Sequence, residues 1–140
     1  MSTNVSIERR YGVVSADERR ALDGLEFVQR IVTGALPLNT MARTLGYSIA
    51  EATVGRVVVT ADPSGDHLNP AGTVHGGFAA TLLDTCMGLA VHTTIGKGFS
   101  STTLEFKISL LRSIKWSVGL GNCGGSVEGG SFAVALPCPA

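Results

Sequence analysis

Polar and apolar positions alternate at three different periods along the chain, and the changes of period mark its elements. Over residues 15–33, Leu22, Leu25, Val28 and Ile31/Val32 recur at helical spacing behind Ser15-Ala16-Asp17-Glu18, a capping-box pattern. One amphipathic helix of about four turns is predicted there, ended by Gly34 and Pro37. A second short helix is expected over residues 39–45. From Tyr47 to Asp62 the chain turns β-branched, and Gly55 divides the run into two strands. Residues 63–67 and 69–72 carry turn chemistry. Residues 74–94 are apolar on nearly every side, which predicts a central helix buried on most faces, closed by Gly96-Lys97-Gly98. Residues 101–112 alternate strictly, with Leu104, Phe106, Ile108 and Leu110 set against Thr103, Glu105, Lys107 and Ser109. That is the pattern of a half-buried strand. Residues 116–120 and 131–136 read as further short strands, separated by a glycine-rich run, and no internal repeat is present.

Length adds that these elements form one domain, since 140 residues hold a single core and not two. A hydrophobic content of 44% with 16% charged residues fits a globular chain and argues against disorder. Eleven basic against eleven acidic side chains leave no net field for nucleic acid or an anionic membrane, and no basic cluster carries interleaved aromatics. The first residues form no apolar leader and no run reaches a membrane-spanning length, so a soluble, cytoplasmic protein is expected. Cys86, Cys123 and Cys138 are odd in number and lack metal-ligand spacing, so neither disulfides nor a metal site is expected. Cys86 reads as a small buried hydrophobe.

The candidate chemistry centres on Asp84, the one ionised side chain between Gly72 and Gly96. An unpaired charge buried in an apolar helix costs several kcal/mol, about what two or three good hydrogen bonds return, so such a residue is paired, protonated or functional. Ahead of it stands Asn69-Pro70-Ala71-Gly72-Thr73-Val74-His75-Gly76-Gly77, where glycines leave backbone N–H groups bare at a helix start. On these residues the chain resembles the PaaI-like hotdog acyl-CoA thioesterases of the 4-hydroxybenzoyl-CoA thioesterase superfamily, and residues 104–112 resemble the long strand that follows the helix in that family. The likeness covers residues 42–114. It implies an α+β hotdog fold, an antiparallel sheet wrapped around a long central helix. Residues 1–41 are then an N-terminal helical extension, 42–114 the well-matched core, and 115–140 a glycine-rich tail.

The resemblance also implies roles. Asp84 matches the general base or nucleophile acting on the thioester, and the Gly77 N–H matches the group that polarises its carbonyl. Asn69 and His75 match residues that position the carbonyl or the attacking water. Thr103 falls where relatives orient the water, with Thr102 as the alternative. Gly76 admits close approach of substrate, and Arg112 suits the phosphates of coenzyme A. The expected substrate is an acyl- or aryl-CoA, with coenzyme A entering only as part of it and no metal or other cofactor.

Elementary chemistry reaches part of this alone. Thioester hydrolysis passes through an oxyanion, which fixed N–H donors at a helix N-terminus stabilise. Nine residues separate His75 from Asp84, roughly 13 Å along a helix. One subunit's Asp84 is therefore badly placed to serve its own Gly77, and a homodimer or dimer of dimers with shared sites is expected.

Plainer readings stand beside these. Asn69 also reads as a turn residue before Pro70, His75 as a histidine fastening the loop, and Arg112 as a surface cation. His67, His92 and Met87 have no motif support, and Glu105 and Lys107 read as a solvated face. The tail departs from the family: Ser113 stands where relatives often carry proline, and six of the 18 glycines fall between Gly119 and Gly130. It reads either as a divergent set of short strands or as an out-of-frame or truncated ending that leaves the sheet incomplete. A non-catalytic acyl-CoA binding module and an enoyl-CoA hydratase are the other functions open to this fold.

Overall fold

The computed structural model describes residues 9–116 and the backbone of two later strands, Gly125–Gly129 and Ala133–Ala135. The N-terminal helix is two helices, not one. Ser15 Oγ accepts from the Glu18 N–H at 3.2 Å and starts α1, Ala16–Arg20. Asp23 then caps a new helix, α2, Gly24–Val32, accepting from the Glu26 N–H at 2.8 Å. The break has a local cause and a tertiary one. Asp23 offers the backbone a cap in place of a continuing helical turn. Gly24 meanwhile donates to the Ile95 carbonyl at 2.9 Å, so closely that a Cβ there would overlap the His92 carbonyl.

The short helix α3, Thr40–Leu45, is capped by Asn39 and stopped by Gly46 at φ +67°. Strands β1, Tyr47–Thr53, and β2, Arg56–Ala61, form the expected hairpin, turned at Gly55 with φ +72° and bulged between Ile49 and Glu51. A 3-10 turn, Gly65–His67, and a loop lead to α4, Gly76–His92. Strand β3, Gly125–Gly129, pairs antiparallel with β2, and β4, Ala133–Ala135, with β3, giving a four-stranded sheet in the order β1-β2-β3-β4. These two strands lie in the glycine-rich run and in the expected strand over 131–136. The strand expected over 116–120 lies outside the described residues, apart from Trp116, which is not in a strand.

Helix α4 packs on β2 and β3 and, more lightly, on β1 and α2. It is not buried on most faces. Phe78, Leu82, Cys86 and Ala90 form one buried stripe at every fourth residue, while Leu83, Met87 and Leu89 are half-buried and Val91 is 56% exposed. The Cys86 thiol donates to the Val57 carbonyl at 3.1 Å. Thr93 Oγ1 accepts from the Gly55 N–H at 2.8 Å, tying the helix end to the β1–β2 turn. One face of α4 is therefore committed to the core and another is left for other contacts.

The clearest departure from expectation is residues 101–112, which form no strand. The segment instead runs back along α4 in the opposite direction. Ser101 meets His92, Thr103 meets Asp84, Leu110 covers Gly76, and the Ile114 carbonyl accepts from the Val74 N–H at 2.9 Å. Alternation specifies an extended chain but not a partner for its backbone. Among the described residues, none pairs with main-chain groups 101–112. The apolar row is consequently exposed: Leu104 and Leu111 at 94% and Phe106 at 40%, with Ile108 half-buried.

Candidate functional site

The loop before α4 is held by Asn69. Its N–H donates to the Thr73 carbonyl at 2.8 Å, its Nδ2 to Thr73 Oγ1 at 2.8 Å, and its Oδ1 accepts from the Ala71 N–H at 2.9 Å and the Thr73 N–H at 3.3 Å. Gly72, at φ +79°, closes the turn by donating to the Asn69 carbonyl. Asn69 thus uses both side-chain polar atoms within its own loop, as the turn-residue reading expects. The loop's exit is pinned where His75 N–H donates to the His67 carbonyl at 2.8 Å.

His75 is the N-cap of α4, and its Nδ1 accepts from the Gly77 N–H at 2.8 Å. Side chains of the same chain lie close over both glycines. A Cβ on Gly77 would stand 2.9 Å from His75 Nδ1 and 3.3 Å from Cε1, and one on Gly76 would stand 2.7 Å from the Leu110 methyl Cδ1. The His-Gly-Gly sequence therefore admits the imidazole over the first turn and Leu110 beside it. Nothing in the sequence marks Leu110 out from the other apolar residues of its row.

Two turns on, Asp84 is half-buried on the flank of α4 that faces the returning segment. Thr103 Oγ1 donates to Asp84 Oδ1 at 2.7 Å, and no ion pair among the described residues involves this carboxylate. One hydroxyl donor and no cation leave Asp84 with lone pairs for a further partner such as water. Gly88 lies one turn further, and among the described residues a Cβ there would meet only Thr103 Oγ1, at 3.8 Å. Thr102 and Arg112 are exposed on the same segment.

The structure thus assembles two half-sites, Asp84 with Thr103 and His75 with Gly77, and does not unite them. Gly77 and Asp84 are seven positions apart on the helix, roughly 10 Å along the axis. His67 and His92 belong to neither. His67 Nδ1 accepts from the Ser64 N–H at 2.9 Å and its ring rests 4.8 Å from that of Phe78. His92 packs edge-on against Phe27 at 5.3 Å and meets Ser101 Oγ at 3.2 Å. Burial, with the Arg19 charge adding to it, holds the His92 imidazole below its ordinary pKa. No group of three or more His, Cys, Asp and Glu among the described residues could hold a metal, and no helix among them is long and apolar enough to cross a membrane.

Residues 71–118 match the thioesterase superfamily, a span that holds both half-sites. Among solved structures, the chain is similar to a phenylacetic acid degradation-related protein of Ralstonia eutropha JMP134, at 24% identity and a TM-score of 0.58, covering 76% of this chain and 90% of that one. It is similar to the PaaI protein of the Escherichia coli phenylacetic acid degradation operon, at 19% identity and a TM-score of 0.57, covering 81% and 71%. It is also similar to a mutant of the phenylacetic acid degradation protein PaaI of Thermus thermophilus, at 28% identity and a TM-score of 0.51, covering 63% and 67%. No curated protein sequence matches. The superfamily match supports thioester hydrolysis in general terms, and the structural likenesses show the hotdog fold.

Proposed function

From a PaaI-like hotdog thioesterase as the starting point, we propose that this chain hydrolyses an acyl- or aryl-CoA thioester with Asp84 as general base. The observation that carries this reading is the 2.7 Å hydrogen bond from Thr103 to Asp84 Oδ1. It fixes one carboxylate oxygen and leaves the other to take a proton from water. The water oxygen adds to the carbonyl carbon as Asp84 takes its proton. Collapse of the tetrahedral intermediate breaks the C–S bond, and the departing thiolate recovers the proton. The start of α4, where His75 and Gly77 stand, serves the oxygen that becomes negative. Exposed Arg112 is available to the phosphates of coenzyme A.

The two half-sites meet across a homodimer. Residues 101–112 are extended, exposed and without backbone partners among the described residues, an edge suited to pairing with its own copy. Antiparallel pairing centred on Phe106 sets Glu105 opposite Lys107 of the partner subunit on both sides of the two-fold. The same register sets Thr103 opposite the partner's Ser109. Next to it lies the partner's Leu110, which in its own subunit covers Gly76. Asp84 of one subunit then stands beside the helix start of the other. A dimer of dimers is compatible with the same pairing.

The test is product analysis on a panel of aryl- and medium-chain acyl-CoAs. Free thiol and free acid in equal amounts support hydrolysis. A hydroxyacyl-CoA from an enoyl-CoA, or tight binding without turnover by a folded dimer, contradicts it.

A further inference from the structure

The segment that carries Thr103 to Asp84 is held at few points. Among the described residues none pairs with main-chain groups 101–112, so side-chain contacts fix where the segment lies along α4. Ser101 makes one such contact, two residues before Thr103. Its Oγ stands 3.2 Å from His92 Nδ1, within hydrogen-bond reach in either tautomer of the ring. Two positions span about 7 Å of extended chain, and both hydroxyls reach the same helix, Ser101 at His92 and Thr103 at Asp84. A bond that places the first hydroxyl therefore limits where the second can stand.

His92 is a firm anchor for this bond. Its ring packs edge-on against Phe27 of α2, with centroids 5.3 Å apart and planes at 65°. Its carbonyl accepts from the Ile95 N–H at 3.2 Å and lies so close to Gly24 that no Cβ fits between them. The Ile95 carbonyl in turn accepts from the Gly24 N–H at 2.9 Å, and buried Thr93 accepts from the Gly55 N–H at 2.8 Å. The last turn of α4 is thus fastened to α2 and to the β1–β2 turn. Ser101 bonds to that fastened end.

We propose that His92 is a positioning residue for the hydrolysis: by holding Ser101 at the end of α4, it keeps Thr103 within reach of the Asp84 carboxylate. The inference rests on the thioesterase reading and extends the site to the N-terminal helix α2, which braces the His92 ring. His92 touches no reacting atom and moves no proton. Its effect on turnover is carried wholly by Thr103, and a bond that merely closed the surface loop would not act that way.

Steady-state thiol release from phenylacetyl-CoA reads the difference. Ser101 is exposed, so Ser101→Ala should lower kcat about 3- to 5-fold, within the range of one hydrogen bond between uncharged groups. KM should stay within about twofold. Ser101→Thr keeps the hydroxyl and should retain most of the rate. His92→Phe keeps a ring against Phe27 and loses Nδ1, so it should match Ser101→Ala, and the double variant should be no slower than either. In a Thr103→Val background, Ser101→Ala should leave kcat within about 1.5-fold. Full additivity in that background, or wild-type kcat in Ser101→Ala, overturns the proposal.

A second measurement needs no turnover. In protein labelled with 13C at threonine methyls, the Thr103 order parameter should fall in Ser101→Ala and stay high in Ser101→Thr, while that of Thr85 on α4 stays constant. An unchanged Thr103 order parameter in Ser101→Ala overturns the proposal even if His92→Phe fails to fold. Absence of thiol release from the wild type would instead strike the thioesterase reading, and the methyl signals would still report whether Ser101 places Thr103.

Discussion

Thr103 and Asp84, 19 residues apart in sequence, share a 2.7 Å hydrogen bond between a segment that belongs to no strand and the flank of α4. The bond orients the carboxylate, and a hydrogen bond to a charged acceptor contributes about 1.5–3 kcal/mol. Thr103→Val should therefore lower kcat roughly 10- to 100-fold in steady-state thiol release, and Thr103→Ser should retain most of the activity. Equal rates for wild type and Thr103→Val would remove Thr103 from the site.

The register centred on Phe106 makes a charge-swap prediction. Glu105→Lys alone places like charges opposite each other twice per dimer, and so does Lys107→Glu. Cross-strand pairs contribute roughly 0.2–1 kcal/mol each, so either variant should weaken the dimer several-fold. The double variant should restore it. Sedimentation equilibrium reads the dissociation constants, and four equal values would contradict this register.

Two glycines should respond to alanine with opposite signs. Gly24→Ala forces a methyl against the His92 carbonyl where α2 meets the end of α4, and overpacking of this kind costs about 1–3 kcal/mol. Gly88→Ala, inside α4 with its nearest neighbour among the described residues at 3.8 Å, should stabilise by roughly 0.5–1 kcal/mol through helix propensity. Thermal melts of both variants check the pair, and a higher Tm for Gly24→Ala would contradict the packing described.

His92 supplies a pH dependence. Burial, then the nearby Arg19 charge, lowers its pKa in the fold below the ordinary 6.5. The unfolded chain therefore takes up a proton near pH 6.5 while the native state does not. Stability contributed by the neutral ring is present above pH 6.5 and is lost as pH falls below it, toward the native pKa. His92→Gln should flatten that part of the Tm-versus-pH curve between pH 7.5 and 5.5, and an unchanged slope would contradict the assignment.

What the sequence made legible was local. The short helix expected over residues 39–45 and the turn at Gly55 follow from residues within a few positions, because caps and positive-φ glycines act on their own backbone, and the helix expected over 74–94 runs over Gly76–His92. The hydrogen bond from Thr103 to Asp84 was not legible in the sequence, since no local rule joins residues so far apart; the family pattern offered Thr103 only as a residue that orients the water. What misled were features decided by partners. Asp23 and Gly24 divide the N-terminal helix because of what lies across from them at His92 and Ile95. The apolar circumference of α4 concealed which stripe meets the sheet, and the alternation of residues 101–112 concealed that no described strand lies alongside. Asn69, matched to a substrate-positioning role, also holds its own loop through Thr73 and the Ala71 N–H, as its reading as a turn residue expects.

The central claim is hydrolysis that depends on the Asp84 carboxylate. Thiol release from aryl- and medium-chain acyl-CoAs by wild type and by Asp84→Asn tests it, with the oligomeric state of both measured alongside. The amide keeps the size of the side chain and can still accept from Thr103, but it cannot take a proton from water. Loss of a general base costs about 10²- to 10⁴-fold, so kcat should fall by at least a hundredfold in a variant that remains folded and dimeric. Turnover by Asp84→Asn within a few-fold of wild type would contradict the account.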